Sequence, residues 1–94
     1  MTLTAVILTG AEADANIARQ AEIRAEMARL GASISGRFEQ AEAGDISYST
    51  CDEKNADDRE ALHSLGAALS GLTGALNESL SAGGPLPTAW QRAA

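Results

Sequence analysis

Five carboxylates, Asp52, Glu53, Asp57, Asp58 and Glu60, crowd into one short stretch and are the first place to look for chemistry. A calcium loop of the EF-hand type needs ligands at alternating positions, a glycine at the sixth and a glutamate at the twelfth. In "DEKNADDREALH" the sixth position is Asp57 and the twelfth is His63, so that loop is not spelled out. Acidic residues at the start of a helix, and along its solvated face, account for the cluster without a metal. Cys51 and His63 are the next pair, in principle a thiolate and an imidazole. No orienting acid or oxyanion partner accompanies them, and a single histidine leaves no histidine pair for a metal. Glu39 and Glu42 have the chemistry of an acid–base pair but no sign of an enclosing pocket. Neither a Gly-rich phosphate loop nor a nucleophile elbow occurs. The expectation is a protein with no catalytic, metal-binding or cofactor-binding residues.

The whole chain points the same way. Its 94 residues carry a net charge of −6, and the seven Lys and Arg are scattered rather than gathered into a stripe. Binding to nucleic acid is therefore not expected, because it requires clustered positive charge. Phe38, Tyr48 and Trp90 are the only aromatics, too few for a base-stacking platform. One cysteine cannot form an internal disulfide, so reinforcement of a core this small is expected from another chain. "MTLTAVILTG" lacks a basic leader, and its apolar run Ala5–Leu8 is far too short for a signal peptide or a membrane span. The protein is expected to be soluble and not secreted.

The elements that would position these residues follow from periodicity. Thr2 to Leu8 is aliphatic and β-branched, and reads as a short strand or extended arm. Thr9-Gly10-Ala11-Glu12 has capping-box spacing and predicts a helix from about Gly10 to about Gly31. Ile23, Met27, Leu30 and Ile34 form its apolar stripe, beside a small-residue face of Ile17, Ala21, Ala25 and Ala28. After Gly31 the period changes to that of strands. Ile34 and Phe38 share one side, Ala43-Gly44-Asp45 supplies a turn, and Ile46, Tyr48 and Thr50 share a face again. A second helix is expected to start at an Asn55 N-cap, with Asp57 and Asp58 in its first turn. Leu62, Leu65, Leu69, Leu72 and Leu76 follow 3-4-3-4 spacing along it. Gly66, Gly71 and Gly74 inside that helix point to close helix approach or a kink. "SAGGPLPTAWQRAA" reads as a tail with Trp90 as an anchor.

The predicted architecture is thus α+β: two helices flanking a short β-hairpin (α-β-β-α), with an extended N-terminal arm or strand and a flexible C-terminal tail. Residues 1–80 form a single domain, 1–9 being the arm, and 81–94 the tail. This order, with "GDISYST" and "NADDREALHSLGAAL", resembles the gpW-like head–tail joining proteins of tailed bacteriophages. The resemblance implies a structural protein of the virion or host cytoplasm that oligomerises on a portal-type ring through protein contacts. The Thr2–Leu8 arm is extra to that family's minimal fold, and the basic tail expected near packaged DNA is missing.

Two other classes stand beside it. A small acidic inhibitor, similar to anti-CRISPR proteins, would occupy a basic nucleic-acid-binding host protein. A helical dimerisation or adaptor module would need only the leucine seam. The residues expected to make partner contacts are Leu3, Val6 and Leu8 in the arm, Tyr48, Asp52, Asp57 and Asp58 in the middle, and Trp90 in the tail. The arm is expected to add to a neighbour's strand edge.

Overall fold

In the computed structural model, which describes residues 6–91, the chain forms two long helices, α1 (Gly10–Glu42) and α2 (Tyr48–Ser81). A 3-10 turn at Thr88–Trp90 follows them. No strand occurs among the described residues, so the expected α+β hairpin fold is overturned. With the hairpin goes the α-β-β-α layout shared with the gpW-like proteins. Leu3 and most of the predicted arm lie outside the described residues, while Val6 to Thr9 carry no regular structure.

The start of α1 follows its sequence signal. Thr9 Oγ1 accepts the Glu12 N–H at 3.1 Å, and Glu12 Oε1 accepts the Thr9 N–H at 3.0 Å, which closes the capping box. Its end does not come at Gly31. Ile34, Arg37 and Ala41 continue the three-four spacing of Ile23, Met27 and Leu30, so the helix keeps a covered stripe as far as Glu42. Ile34 and Phe38 are four residues apart, a separation that suits a helix as well as a strand. Gly31 and Gly36 each cost about 1 kcal/mol of helix propensity, and the helix runs through both.

Gly44 belongs to a turn, as its sequence implies, but of a different kind. Its φ is +84°, the Gly44 N–H reaches the Ala41 carbonyl at 3.1 Å, and the Asp45 N–H reaches the Gln40 carbonyl at 2.9 Å. That pair of bonds is a Schellman motif, the close of a helix and not the bend of a hairpin. Ser47 then caps α2, its Oγ accepting the Thr50 N–H at 3.0 Å. The predicted N-cap, Asn55, instead lies well inside α2 and is fully buried. Asp57 and Asp58 consequently sit mid-helix and do nothing for its dipole. A second Schellman motif ends α2: Gly83, with φ +89°, donates to Leu80 at 3.1 Å and Gly84 to Ser79 at 2.8 Å.

The described residues divide into two compact units, each built from a segment of both helices. One comprises Ile23–Ala67. Here α1, the connection and α2 form an antiparallel helical hairpin, with Ile23, Leu30, Ala41 and Cys51 buried. The other comprises the described parts of Met1–Glu22 and Ala68–Ala94. Its buried positions are Ala13, Asn16 and Gln20 on α1 and Leu76 and Ser79 on α2, with Pro87 from the tail. The tail is not loose: the Thr88 N–H and hydroxyl both donate to the Asp14 carboxylate, at 2.6 and 2.7 Å.

Gly66, Gly71 and Gly74 mark neither a kink nor a close approach. A Cβ added at any of them would have open space around it, and α2 runs through all three without a break. Close approach occurs at Gly84, where a Cβ would lie 2.8 Å from the Ser79 carbonyl oxygen.

Candidate interaction surfaces

The polar residues of the helix seam are consumed by structure. In the unit that holds both chain ends, Asn16 Nδ2 donates to the Leu72 carbonyl at 2.9 Å, and Gln20 Nε2 donates to Asn16 Oδ1 at 2.6 Å. Leu72 lies fifty-six residues beyond Asn16, so this bond ties α1 to α2 directly. In the hairpin unit Arg37 donates to Asp58 and, at 3.3 Å, to Asn55 Oδ1, while Asn55 Nδ2 donates to Cys51 Sγ at 3.4 Å. Among the described residues no buried side-chain polar atom lacks a partner. Satisfied polar layers of this kind fix the alignment of two helices, because any slip would strand a buried donor.

Two of the residues singled out for chemistry, Cys51 and Asp58, take part in those bonds. Cys51 is buried against Asn55, and His63 is exposed twelve residues further along α2, a rise of about 18 Å. The two side chains cannot act as a pair. Asp58 is committed to Arg37, and the described residues contain no group of three His, Cys, Asp or Glu side chains able to hold a metal. Glu39 and Glu42 are both exposed on the outside of α1.

Of the predicted contact residues, Tyr48 and Asp52 come together on the hairpin unit, both exposed near the start of α2. Tyr48 meets Phe38 edge-to-face, with ring centroids 6.3 Å apart and planes at 67°. Phe38 is not among the residues expected to make partner contacts, because the strand reading pairs it with Ile34 on one side of a hairpin. Asp57 is exposed one turn further along α2. Val6 and Trp90 are exposed on the other unit, where Leu8 is half-buried and its N–H donates to Ser79 Oγ at 2.9 Å. At Leu8 the backbone N–H of the arm is therefore satisfied within its own chain. Nothing in a primary pattern marks Ser79 for this role; it is simply the next seam position after Leu76.

A shallow groove of about 400 Å³ also opens on that unit, floored by Leu8, Ala15, Leu72 and Ala75 and edged by Glu12 and Arg19. The Glu12 carboxyl titrates below its ordinary value because the Thr9 N–H and hydroxyl donate to it. Asp14 is lowered likewise, first by the Thr88 N–H and then by its hydroxyl. These are capping effects on exposed groups, not the marks of an acid or base in a cleft.

Among the described residues, no helix is long and apolar enough to cross a membrane. Set against known proteins, the chain matches no family model, no curated protein and no solved structure.

Proposed function

We propose that the chain is a helical dimerisation and adaptor module, a non-enzymatic protein that acts by bringing protein surfaces together. One observation carries this reading. Four of the five seam leucines are incompletely buried: Leu62 and Leu65 in the hairpin unit, Leu69 and Leu72 in the other. Leu76 alone is buried, at 2 % exposure. Full burial of a leucine is worth roughly 1.5–3 kcal/mol, so each incompletely buried one leaves a minor part of that stabilisation to be gained from a further layer. Two helices provide one layer, and helical folds gain most of their stability from covering such stripes on both sides. A second copy supplies that layer with an identical, uncharged leucine face, the arrangement of a two-fold interface.

A head–tail connector on a portal ring is a narrower proposal of the same class. Its expected hairpin edge is replaced here by helix, so no observation favours it over the module.

Sedimentation equilibrium over a wide concentration range tests the reading. The expected result is reversible association to twice the 9.6 kDa chain mass. Leu65→Lys and Leu72→Lys are expected to shift the equilibrium to monomer while leaving the helical circular-dichroism signal. A parent that stays monomeric at every concentration, with a concentration-independent melting temperature, overturns it.

A further inference from the structure

The strongest unexplained surface lies at the connecting end of the hairpin unit. Phe38 and Tyr48 are 47 % and 57 % exposed, yet they hold each other in a defined edge-to-face pair. Large aromatics are enriched in the energetic centres of protein interfaces, since they offer much contact area for little lost side-chain freedom.

The charge around them says what kind of surface would cover them. Between Arg37 and Asp58 the chain carries seven carboxylates against Arg37 and Lys54, a net of −5 out of −6 for all residues. Arg37 is turned inward on Asp58, so it does not offset the remainder. Glu39 and Glu42 on the end of α1, Asp45 in the connection, and Asp52 and Glu53 at the start of α2 are all exposed. None of the five forms an ion pair among the described residues. Lys54 is the base within this stretch that faces solvent, and Arg59 just beyond it is offset by its neighbour Glu60. A second copy of this face, a nucleic acid or an anionic lipid surface would be repelled.

We infer that the Phe38–Tyr48 face docks a basic protein segment, one that presents Lys or Arg around an apolar side chain seated on the aromatic pair. The aromatics supply the holding energy, while the carboxylates steer the encounter and exclude neutral or acidic competitors. Within the hairpin unit these aromatics lie fourteen or more residues from Leu62 and Leu65, and the inference does not depend on dimerisation. Together the two would make an adaptor, with one face for its own kind and one for a basic client.

The test uses the full chain and three synthetic peptides: alternating Lys and Leu, the same with Glu for Lys, and Lys alternating with Gly. Binding is followed by backbone amide NMR shifts and by calorimetry. The Lys/Leu peptide is expected to shift amides of residues 38–53 selectively, and to weaken by about tenfold as salt rises from about 50 to about 300 mM. The double variant Phe38→Ala with Tyr48→Ala is expected to weaken it at least about tenfold, as loss of an interface centre does. Both side chains are exposed, so that variant keeps its fold, which the same spectra verify. The Glu peptide should not bind, and the Lys/Gly peptide should bind much more weakly than Lys/Leu. Shifts spread evenly over the protein, equal affinity for the two Lys peptides, or an unchanged affinity in the double variant would each overturn the proposal. Sedimentation of the same samples reads dimerisation separately, so either idea can fail alone.

Discussion

The two units contain the same two helices but hold them together by different means. In Ile23–Ala67 the chain itself joins α1 to α2 through a short connection, and the polar seam is an ion pair with its attendant amide: Arg37, Asp58 and Asn55. In the other unit no short connection joins the two helix segments among the described residues. There the joint is made by hydrogen bonds over long sequence separations, with no ion pair between the two helices among the described residues: Asn16 to Leu72, Leu8 to Ser79, and Thr88 to the Asp14 carboxylate. Where the backbone already enforces proximity, loop-closure entropy is small and charge can accumulate on the surface for other uses. Where it does not, the side chains are used up in making the joint. That contrast explains why the free carboxylates gather at one end, and why the candidate client surface is there.

The contrast can be tested from its most to its least costly element. Leu76→Ala in one unit and Leu30→Ala in the other remove buried seam side chains, and each should cost roughly 2–5 kcal/mol in urea unfolding. Leu69→Ala and Leu62→Ala, at incompletely buried positions, should cost clearly less in the same assay. If all four cost the same, the incompletely buried leucine face is wrong. Next come the two helix closures. Gly84→Ala drives a Cβ against the Ser79 carbonyl, and should cost about 1–3 kcal/mol and loosen Leu8, which shares Ser79. Gly44→Ala meets no atom, so only its left-handed backbone is penalised, by about 1–2 kcal/mol. Native-state hydrogen exchange should register the first change in the unit of chain ends and the second in the hairpin unit.

Smaller and opposite in sign is Gly74→Ala. The site is open, so the substitution should stabilise by up to about 1 kcal/mol through helix propensity. A fall in thermal stability there would mean that another chain approaches α2 closely at this glycine. The smallest effect is acid release of the tail. Hydrogen bonds from Thr88 hold the folded Asp14 carboxyl below its ordinary value. Its contribution is therefore complete above the unfolded carboxylate range and fades as pH falls through the lowered folded value. Trp90 is the only tryptophan and sits in the turn that Asp14 secures, so its fluorescence should change in that acid window. In Asp14→Asn the step should vanish; a step that persists would place the titrating group elsewhere, Glu12 being the next candidate.

Local signals were legible wherever one residue type has one structural use. The capping box at Thr9 and Glu12, the turn at Gly44, the end of α2 near Gly83 and the leucine seam were all readable from spacing. The stretch from Gly31 to Thr50 was not, because residues four apart fit either period and Gly44-Asp45 serves a hairpin or a helix end equally well. Tertiary packing decided between them. The seam continues through Arg37, Asn55 and Asp58, which count as breaks in an apolar stripe until their partners on the other helix are seen. An arginine in a seam is costly alone and acceptable when paired, and that pairing joins residues 21 apart. The N-cap is Ser47 and not Asn55 for the same reason: both are good caps, and only the actual start of the covered stripe selects one. The net charge of −6, and its concentration between Arg37 and Asp58, were present in the sequence from the start. That this charge surrounds an exposed aromatic pair was decided by the fold, which brings the end of α1 beside the beginning of α2.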